Sequence, residues 1–192
     1  MSTTQTIRSR EDLEQLKNYY LNQKPNLRNY ALISTAVNTA LRISDILVLK
    51  WGNVYDFKLK KFRVHLELTE KKTGKHSMIA LNKSAISGLR LYLESLPYAC
   101  QEQFIFTGHL REVPLCREQA YRIIKNACHD LQLPEHISCH SLRKTFGYHA
   151  WLAGTNPALL VSIYNHSSFE VTKRYLGIEQ DDKDNVFLNL EL

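Results

Sequence analysis

The chain has 192 residues, 44% hydrophobic and 23% charged, which fits one largish folded domain or two small ones and argues against disorder. Its formal charge of +6 and pI of about 9.1 lean toward a polyanionic partner: DNA, RNA and an anionic membrane are all allowed, and so is a soluble protein that is simply basic. The cysteines Cys100, Cys116, Cys128 and Cys139 form no Cys-x-x-Cys pair, which argues against a zinc site or disulfide framework and leaves reduced thiols as the default.

Met1 to Gln5 has no apolar stretch of the signal-peptide kind. No apolar run approaches the roughly 18 residues that span a bilayer. Internal repeats and low-complexity segments are not visible.

The first helix is predicted to start at Ser9, an N-cap with Asp12 three residues on, and to bury Leu13, Leu16, Tyr20 and Leu21. Lys24-Pro25-Asn26 ends it, and Asn26 caps a second helix, Leu27 to Val37, which is apolar almost all round and therefore buried. Arg42 follows at a turn between apolar segments, with Asp45 three residues later; an Arg42–Asp45 ion pair holding the turn is the plainest structural reading.

The period then changes. Asn53 to Asp56, Phe62 to Leu68 and Ser77 to Leu81 read as three short strands. The last two are joined by a hairpin through Lys71-Lys72-Thr73-Gly74-Lys75, whose lysines by themselves read as a soluble loop tip. A helix capped by Ser84 runs to Leu96 before Pro97. Another, Leu115 to Leu131, turns Arg117, Arg122 and Lys125 outward, toward solvent or a nucleic-acid backbone.

Ser138 or Cys139 precedes a helix from His140 to Ala153 that stops at Gly154. It sets His140 and Arg143 on one face, with Lys144 alongside. Asn156-Pro157 opens a short helix, Asn165-His166-Ser167-Ser168 makes a turn, and Ser168 caps a last helix holding Thr172, Arg174 and Tyr175. Basic groups able to hold a phosphate are thus followed by a hydroxyl able to attack one. Taken singly, His140, His166 and Tyr175 read as ordinary structural residues. A polar-then-apolar tail, Asp181 to Leu192, ends the sequence, packing on its own domain or docking on a neighbour.

His140-x-x-Arg143, then Asn165-His166-Ser167, then Tyr175 nine residues after His166, resembles the signature of the tyrosine recombinases, the phage integrase family. Thr39-Ala40-Leu41-Arg42-Ile43-Ser44-Asp45 is similar to that family's Thr-Gly-Leu-Arg-x-Ser-Glu, with Ala40 in place of glycine. Tyr164-Asn165 stands where Leu-Gly is usual.

The resemblance implies an α+β fold, mainly α-helical with a small antiparallel three-stranded sheet. It implies a short arm (1–8), a catalytic domain (9–178) and a tail (179–192) docking on a neighbouring protomer. Arg42 and Arg143 would hold the scissile phosphate, His140 act as general base, His166 donate a hydrogen bond to the phosphate and Tyr175 attack as nucleophile. Lys72 would protonate the leaving 5′ oxygen, with Lys71 and Lys75 as alternatives, and Asp45 would help orient the site. Lys71, Lys75, Arg117, Arg122, Lys125 and Lys144 would face DNA.

No cofactor or metal is implied, because the phosphotyrosine link conserves the bond energy. The implied partners are double-stranded DNA, a homotetramer on it and accessory DNA-bending proteins, in the nucleoid-bearing cytoplasm and without a membrane. Most members carry an N-terminal helical clamp domain, so the sequence implies either a short recombinase or a fragment of a longer integrase. A type IB topoisomerase-like relaxing enzyme and a non-catalytic DNA-binding regulator of the same fold are the rival readings.

Overall fold

A computed structural model describes residues 4–108 and 112–189; residues 1–3 of the arm and 190–192 of the tail lie outside the described residues. The helices are α1 (Arg10–Asn22), α2 (Leu27–Thr39), α3 (Ile43–Ile46), α4 (Trp51–Val54), α5 (Lys83–Glu94), α6 (Arg117–Asp130), α7 (Cys139–Leu152), α8 (Pro157–Tyr164), α9 (Phe169–Leu176) and α10 (Gln180–Asn189). The strands are β1 (Tyr55–Asp56), β2 (Lys61–Phe62), β3 (His65–Thr69) and β4 (His76–Ala80).

Helix α2 is the axis of the packing. Every residue from Asn29 to Val37 is buried, and α1, α5 and α7 lie against it. A helix this apolar can only sit inside. Some of its polar groups are satisfied locally, the Asn26 side chain accepting from Asn29 N at 3.1 Å and Thr39 Oγ1 donating to Thr35 O at 2.9 Å, while Thr35 Oγ1 is buried with no partner among the described residues. Ser9 caps α1, accepting from Asp12 N at 3.1 Å. Helix α5 is capped by Asn82, which accepts from Ala85 N at 2.9 Å, and Ser84 lies one position inside the helix rather than at its cap.

The sheet differs from expectation. Among the described residues there are two separate antiparallel pairs, β1–β2 and β3–β4, instead of one three-stranded sheet. The single strand expected from Phe62 to Leu68 changes partner halfway. Phe62 pairs with Tyr55, Arg63 N donates to Val54 O at 2.8 Å, and from His65 onward the chain pairs with β4. Val64 O already accepts from Leu81 N at 2.9 Å, so the handover is complete within two residues and the pairs never merge.

Two apolar clusters result. The larger surrounds α2 and takes in Leu16, Trp51, Leu89, Ile105 and Ile124. The smaller consists of Ala40, Tyr148, Leu160, Tyr164, Leu176 and Ile178, and joins α7, α8 and α9. The arm residues run along this second cluster. Thr6 Oγ1 donates to Leu176 O at 2.6 Å, Ile7 N donates to Thr145 Oγ1 at 3.0 Å, and Arg8 pairs with Asp181 at 2.5 Å while lying 5.2 Å from the Tyr148 ring centre. Helix α10 is anchored at its start, where buried Asp182 accepts from the Tyr148 hydroxyl at 2.8 Å. Farther along, Val186, Phe187 (82% exposed) and Leu188 project from it. No helix among the described residues is long and apolar enough to cross a membrane.

Candidate active site

The turn after α2 sets the first arginine. Ala40 takes a left-handed conformation (φ 53°, ψ 14°), and Arg42 is the extended N-cap of α3. The expected Arg42–Asp45 pair does not form. Arg42 Nη1 donates instead to Glu70 Oε2 at 2.5 Å. Asp45 is 1% exposed, and its Oδ1 accepts from Lys71 N at 3.0 Å. The two acids therefore join the Arg42 turn to the lysine hairpin from both sides. Glu70 caps the hairpin further by accepting from Thr73 Oγ1 at 3.1 Å and Ser77 Oγ at 2.8 Å, while Gly74 takes the left-handed position (φ 65°). Burial would raise the Glu70 carboxyl, but the hydrogen bonds from Ser77, Arg42 and Thr73 outweigh it and hold the group below the usual carboxylate value.

Helix α7 sets the second arginine. Ser138 caps it, accepting from His140 N at 3.3 Å, and Ser141 Oγ accepts from Ser138 N in return at 3.1 Å. One turn in, Arg143 is 5% exposed and donates to Ala40 O. Both arginines thus hang on the same turn. The Arg143 guanidinium lies 4.8 Å from the Tyr164 ring centre, and the Tyr164 hydroxyl donates to Arg143 O at 2.7 Å. The Arg143 guanidinium is held by the Ala40 carbonyl and by a ring face, which leaves further N–H donors for an anion.

The turn from α8 to α9 carries His166. Asn165 occupies a left-handed position (φ 53°, ψ 47°), so the asparagine supplies the backbone shape that glycine would. The Thr172 hydroxyl donates to Ser168 O at 3.2 Å and stands 3.0 Å from His166 Nδ1, so it is placed to accept from that nitrogen. The other ring nitrogen is then left for the site.

Tyr175 sits between the two histidines. Its ring centre is 5.1 Å from that of His140, 5.0 Å from that of His166 and 5.3 Å from that of Tyr164. The Tyr175 hydroxyl is buried; no partner among the described residues meets it at full hydrogen-bond geometry, although the Arg143 guanidinium is close enough to act on it. Burial raises its pKa above the ordinary tyrosine value, and the nearby Arg143 and Arg42 offset this only in part. His140 and His166 are both held below the ordinary imidazole value. Desolvation comes first in each, then Lys144, Arg143, Arg42 and Lys72 act on His140, and Arg143 and Arg42 act on His166.

In front of these groups lies a cavity of about 850 Å³ lined by Arg42, Lys71, Lys72, Arg117, Arg122, His140 and Arg143, among others. Among the described residues, Glu118 is the one acid on its wall. The fold thus gathers Arg42, Lys72, His140, Arg143, Lys71, Arg117 and Arg122 from four separate segments. His166 and Tyr175 lie behind that wall rather than on it.

Three further residues expected to face DNA do not line this cavity. Lys75 lines a separate cavity of about 460 Å³, Lys125 donates to Glu135 O, and Lys144 donates to Thr4 O at 2.6 Å with its ammonium 5.8 Å from the Tyr175 ring centre. Sequence reasoning passed over Glu70, Tyr164 and Thr172, each of which touches a candidate site residue. All four cysteines are free, and no group of three or more His, Cys, Asp or Glu among the described residues is placed to hold a metal.

Known proteins resemble this chain in sequence and in fold. The model of the phage integrase family matches residues 8–181. A relative from Bacillus subtilis (strain 168), "Probable integrase/recombinase YoeC", is 38% identical over 181 residues, covering 94% of this chain and 93% of its own. "Tyrosine recombinase XerC" of Pelobacter propionicus is 25% identical over 155 residues, covering 81% of this chain but 49% of the relative. The chain therefore spans nearly all of the first relative and about half of the second.

Among solved structures, the XerA recombinase superposes with a TM-score of 0.78 at 17% identity, over 100% of this chain and 66% of that one. The XerH recombinase in its post-cleavage complex with a palindromic difH substrate superposes with a TM-score of 0.74 at 18% identity, over 96% and 52%. The family match over most of the chain and the 38% identical relative show that the chain belongs to the phage integrase family.

Proposed function

We propose that the chain is a site-specific DNA recombinase that cuts and rejoins DNA strands through a 3′-phosphotyrosine. The observation that carries this reading is the convergence of Arg42 and Arg143 on one turn, with the Tyr175 ring packed between His140 and His166 behind them.

The chemistry follows from that arrangement. Tyr175 Oη attacks the scissile phosphorus and the bond to the 5′ oxygen breaks. His140 takes the phenolic proton, and Lys72 on the exposed hairpin gives a proton to the leaving 5′ oxygen. The two guanidiniums hold the nonbridging oxygens, where negative charge accumulates, and His166, protonated at its second nitrogen as the anionic phosphate arrives, donates a further hydrogen bond to them. The 5′-hydroxyl of a second strand then attacks the phosphotyrosine and restores the free phenol. Asp45 supports the site by fixing the hairpin through Lys71 N.

The substrate is double-stranded DNA, bound in the basic cavity with Lys71, Arg117 and Arg122 on its backbone. Strand exchange requires four copies on paired sites. The exposed Val186-Phe187-Leu188 face of α10 supports docking of the tail on a neighbouring copy. Accessory DNA-bending proteins would assist assembly, and the site of action is the nucleoid within the cytoplasm.

Covalent trapping tests the proposal. The protein is incubated with nicked duplexes from the DNA flanking its own gene and resolved on a denaturing gel beside Tyr175→Phe. The expected result is a shifted adduct for the wild type and none for Tyr175→Phe. DNA binding without an adduct would favour the non-catalytic regulator. An adduct with relaxation but no exchange between two sites would favour the topoisomerase-like reading.

A further inference from the structure

We propose that Glu70 is a positioning residue for Arg42, fixing the guanidinium against the hairpin that carries Lys71 and Lys72 so that arginine and lysines reach the phosphate as one unit; this rests on the recombinase reading above. The side chain of Glu70 is 8% exposed and spends both oxygens inside the site. Oε2 takes Arg42 Nη1 and Thr73 Oγ1, and Oε1 takes Ser77 Oγ. Its backbone closes the same hairpin: Glu70 N donates to Lys75 O at 2.9 Å and Glu70 O accepts from Gly74 N at 2.8 Å. One residue therefore sets the hairpin shape and the direction of Arg42.

An acid beside a phosphate-binding arginine carries an electrostatic cost, because it repels the incoming anion. What it supplies is orientation. A free arginine explores many rotamers, and each must be frozen when the phosphate arrives. The Glu70 contact takes one edge of the guanidinium and leaves the remaining N–H groups for the phosphate. Asp45 repeats the device on the adjacent residue by holding Lys71 N. A simple structural clamp would need only Thr73, Ser77 and the backbone bonds; the contact to Arg42 is the part that bears on the reaction.

The test measures single-turnover formation of the Tyr175 adduct on two nicked duplexes, one with the natural phosphate and one with a neutral methylphosphonate at the scissile position. On the natural phosphate, Glu70→Ala is expected to react about 10- to 100-fold more slowly, as for a group held roughly an ångström out of place. Glu70→Gln, which retains an oxygen able to reach Arg42, recovers most of that loss. On the methylphosphonate there is no anionic oxygen to neutralise, so the gap between Glu70→Ala and wild type narrows, as it does for Arg42→Ala.

Wild-type rates for Glu70→Ala, or a deficit of equal size on both duplexes, would overturn the assignment. If thermal melting shows Glu70→Ala to be unfolded, Glu70→Asp replaces it; that variant keeps the charge but withdraws the oxygens by one methylene, and wild-type rates for it on both duplexes would likewise overturn the assignment. A wild type that forms no adduct at all sinks the recombinase reading and this one together, whereas an adduct unaffected by Glu70 sinks this one alone.

Discussion

Tyr175 keeps a desolvated hydroxyl that no partner meets at full hydrogen-bond geometry, and such an atom costs stability wherever function does not require it. Tyr175→Phe is therefore expected to abolish the adduct while raising stability by about 1 kcal/mol, readable as a higher urea midpoint at an unchanged slope. A tyrosine with a purely structural role would show the opposite pattern. His140 and Arg143 were legible in the sequence because a three-residue spacing on a capped helix fixes their common face before any tertiary contact forms. Glu70 was not legible. An acid next to a run of lysines at a hairpin tip reads as a solvated charge, and only the fold shows that Arg42 crosses to it from another segment.

Helix α7 comes so close to α8 and α9 that a Cβ on Gly147 would lie 2.5 Å from the Tyr164 hydroxyl and 2.6 Å from Leu176 Cδ2. Gly147→Ala must push aside the ring beneath Arg143 and the neighbour of Tyr175. It is expected to cost about 1–3 kcal/mol by overpacking and to slow adduct formation more than it weakens DNA binding, as checked by denaturant melts beside a binding titration. On the opposite wall, α6 presents Arg117 and Arg122 to the basic cavity. If each meets one phosphate, removing either lowers the slope of log K against log salt by about 0.9, measured by titration at several salt concentrations.

The elements themselves were mostly readable, through caps such as Ser9, Asn26, Ser138 and Ser168. The three-stranded sheet was not. Alternation continues through Arg63 and Val64, and only the contacts with Val54 and Leu81 reveal that the strand changes partner there. The cost of losing glycine from the turn before His166 also depended on geometry, and asparagine proved able to take the left-handed shape.

For the molecule as a whole, three histidines weigh on acid stability. His140, His149 and His166 are all held below their ordinary value of 6.5. Burial is the leading cause in each; for His149 the hydrogen bond to Ile7 O opposes it and Arg10 adds to it. The unfolded chain thus binds protons before the folded one does. Stability is complete above about pH 6.5 and is lost as pH falls from there toward the depressed folded values. Melting temperatures are expected to drop between pH 7.5 and 5.5, and added duplex DNA should lessen the drop by favouring the protonated rings.

The division of the interior into a large cluster around α2 and a small one around Tyr164 and Leu176 has a kinetic meaning. The nucleophile rides on the smaller unit, which is closed by few apolar side chains, while α2 and α5 belong to the larger. Amides of α8 and α9 are expected to exchange with deuterium through openings of lower free energy than those of α2 and α5. Heating should accordingly disarm the catalyst before it denatures the protein, with cleavage fading over a temperature range in which the far-ultraviolet spectrum still reports a folded chain.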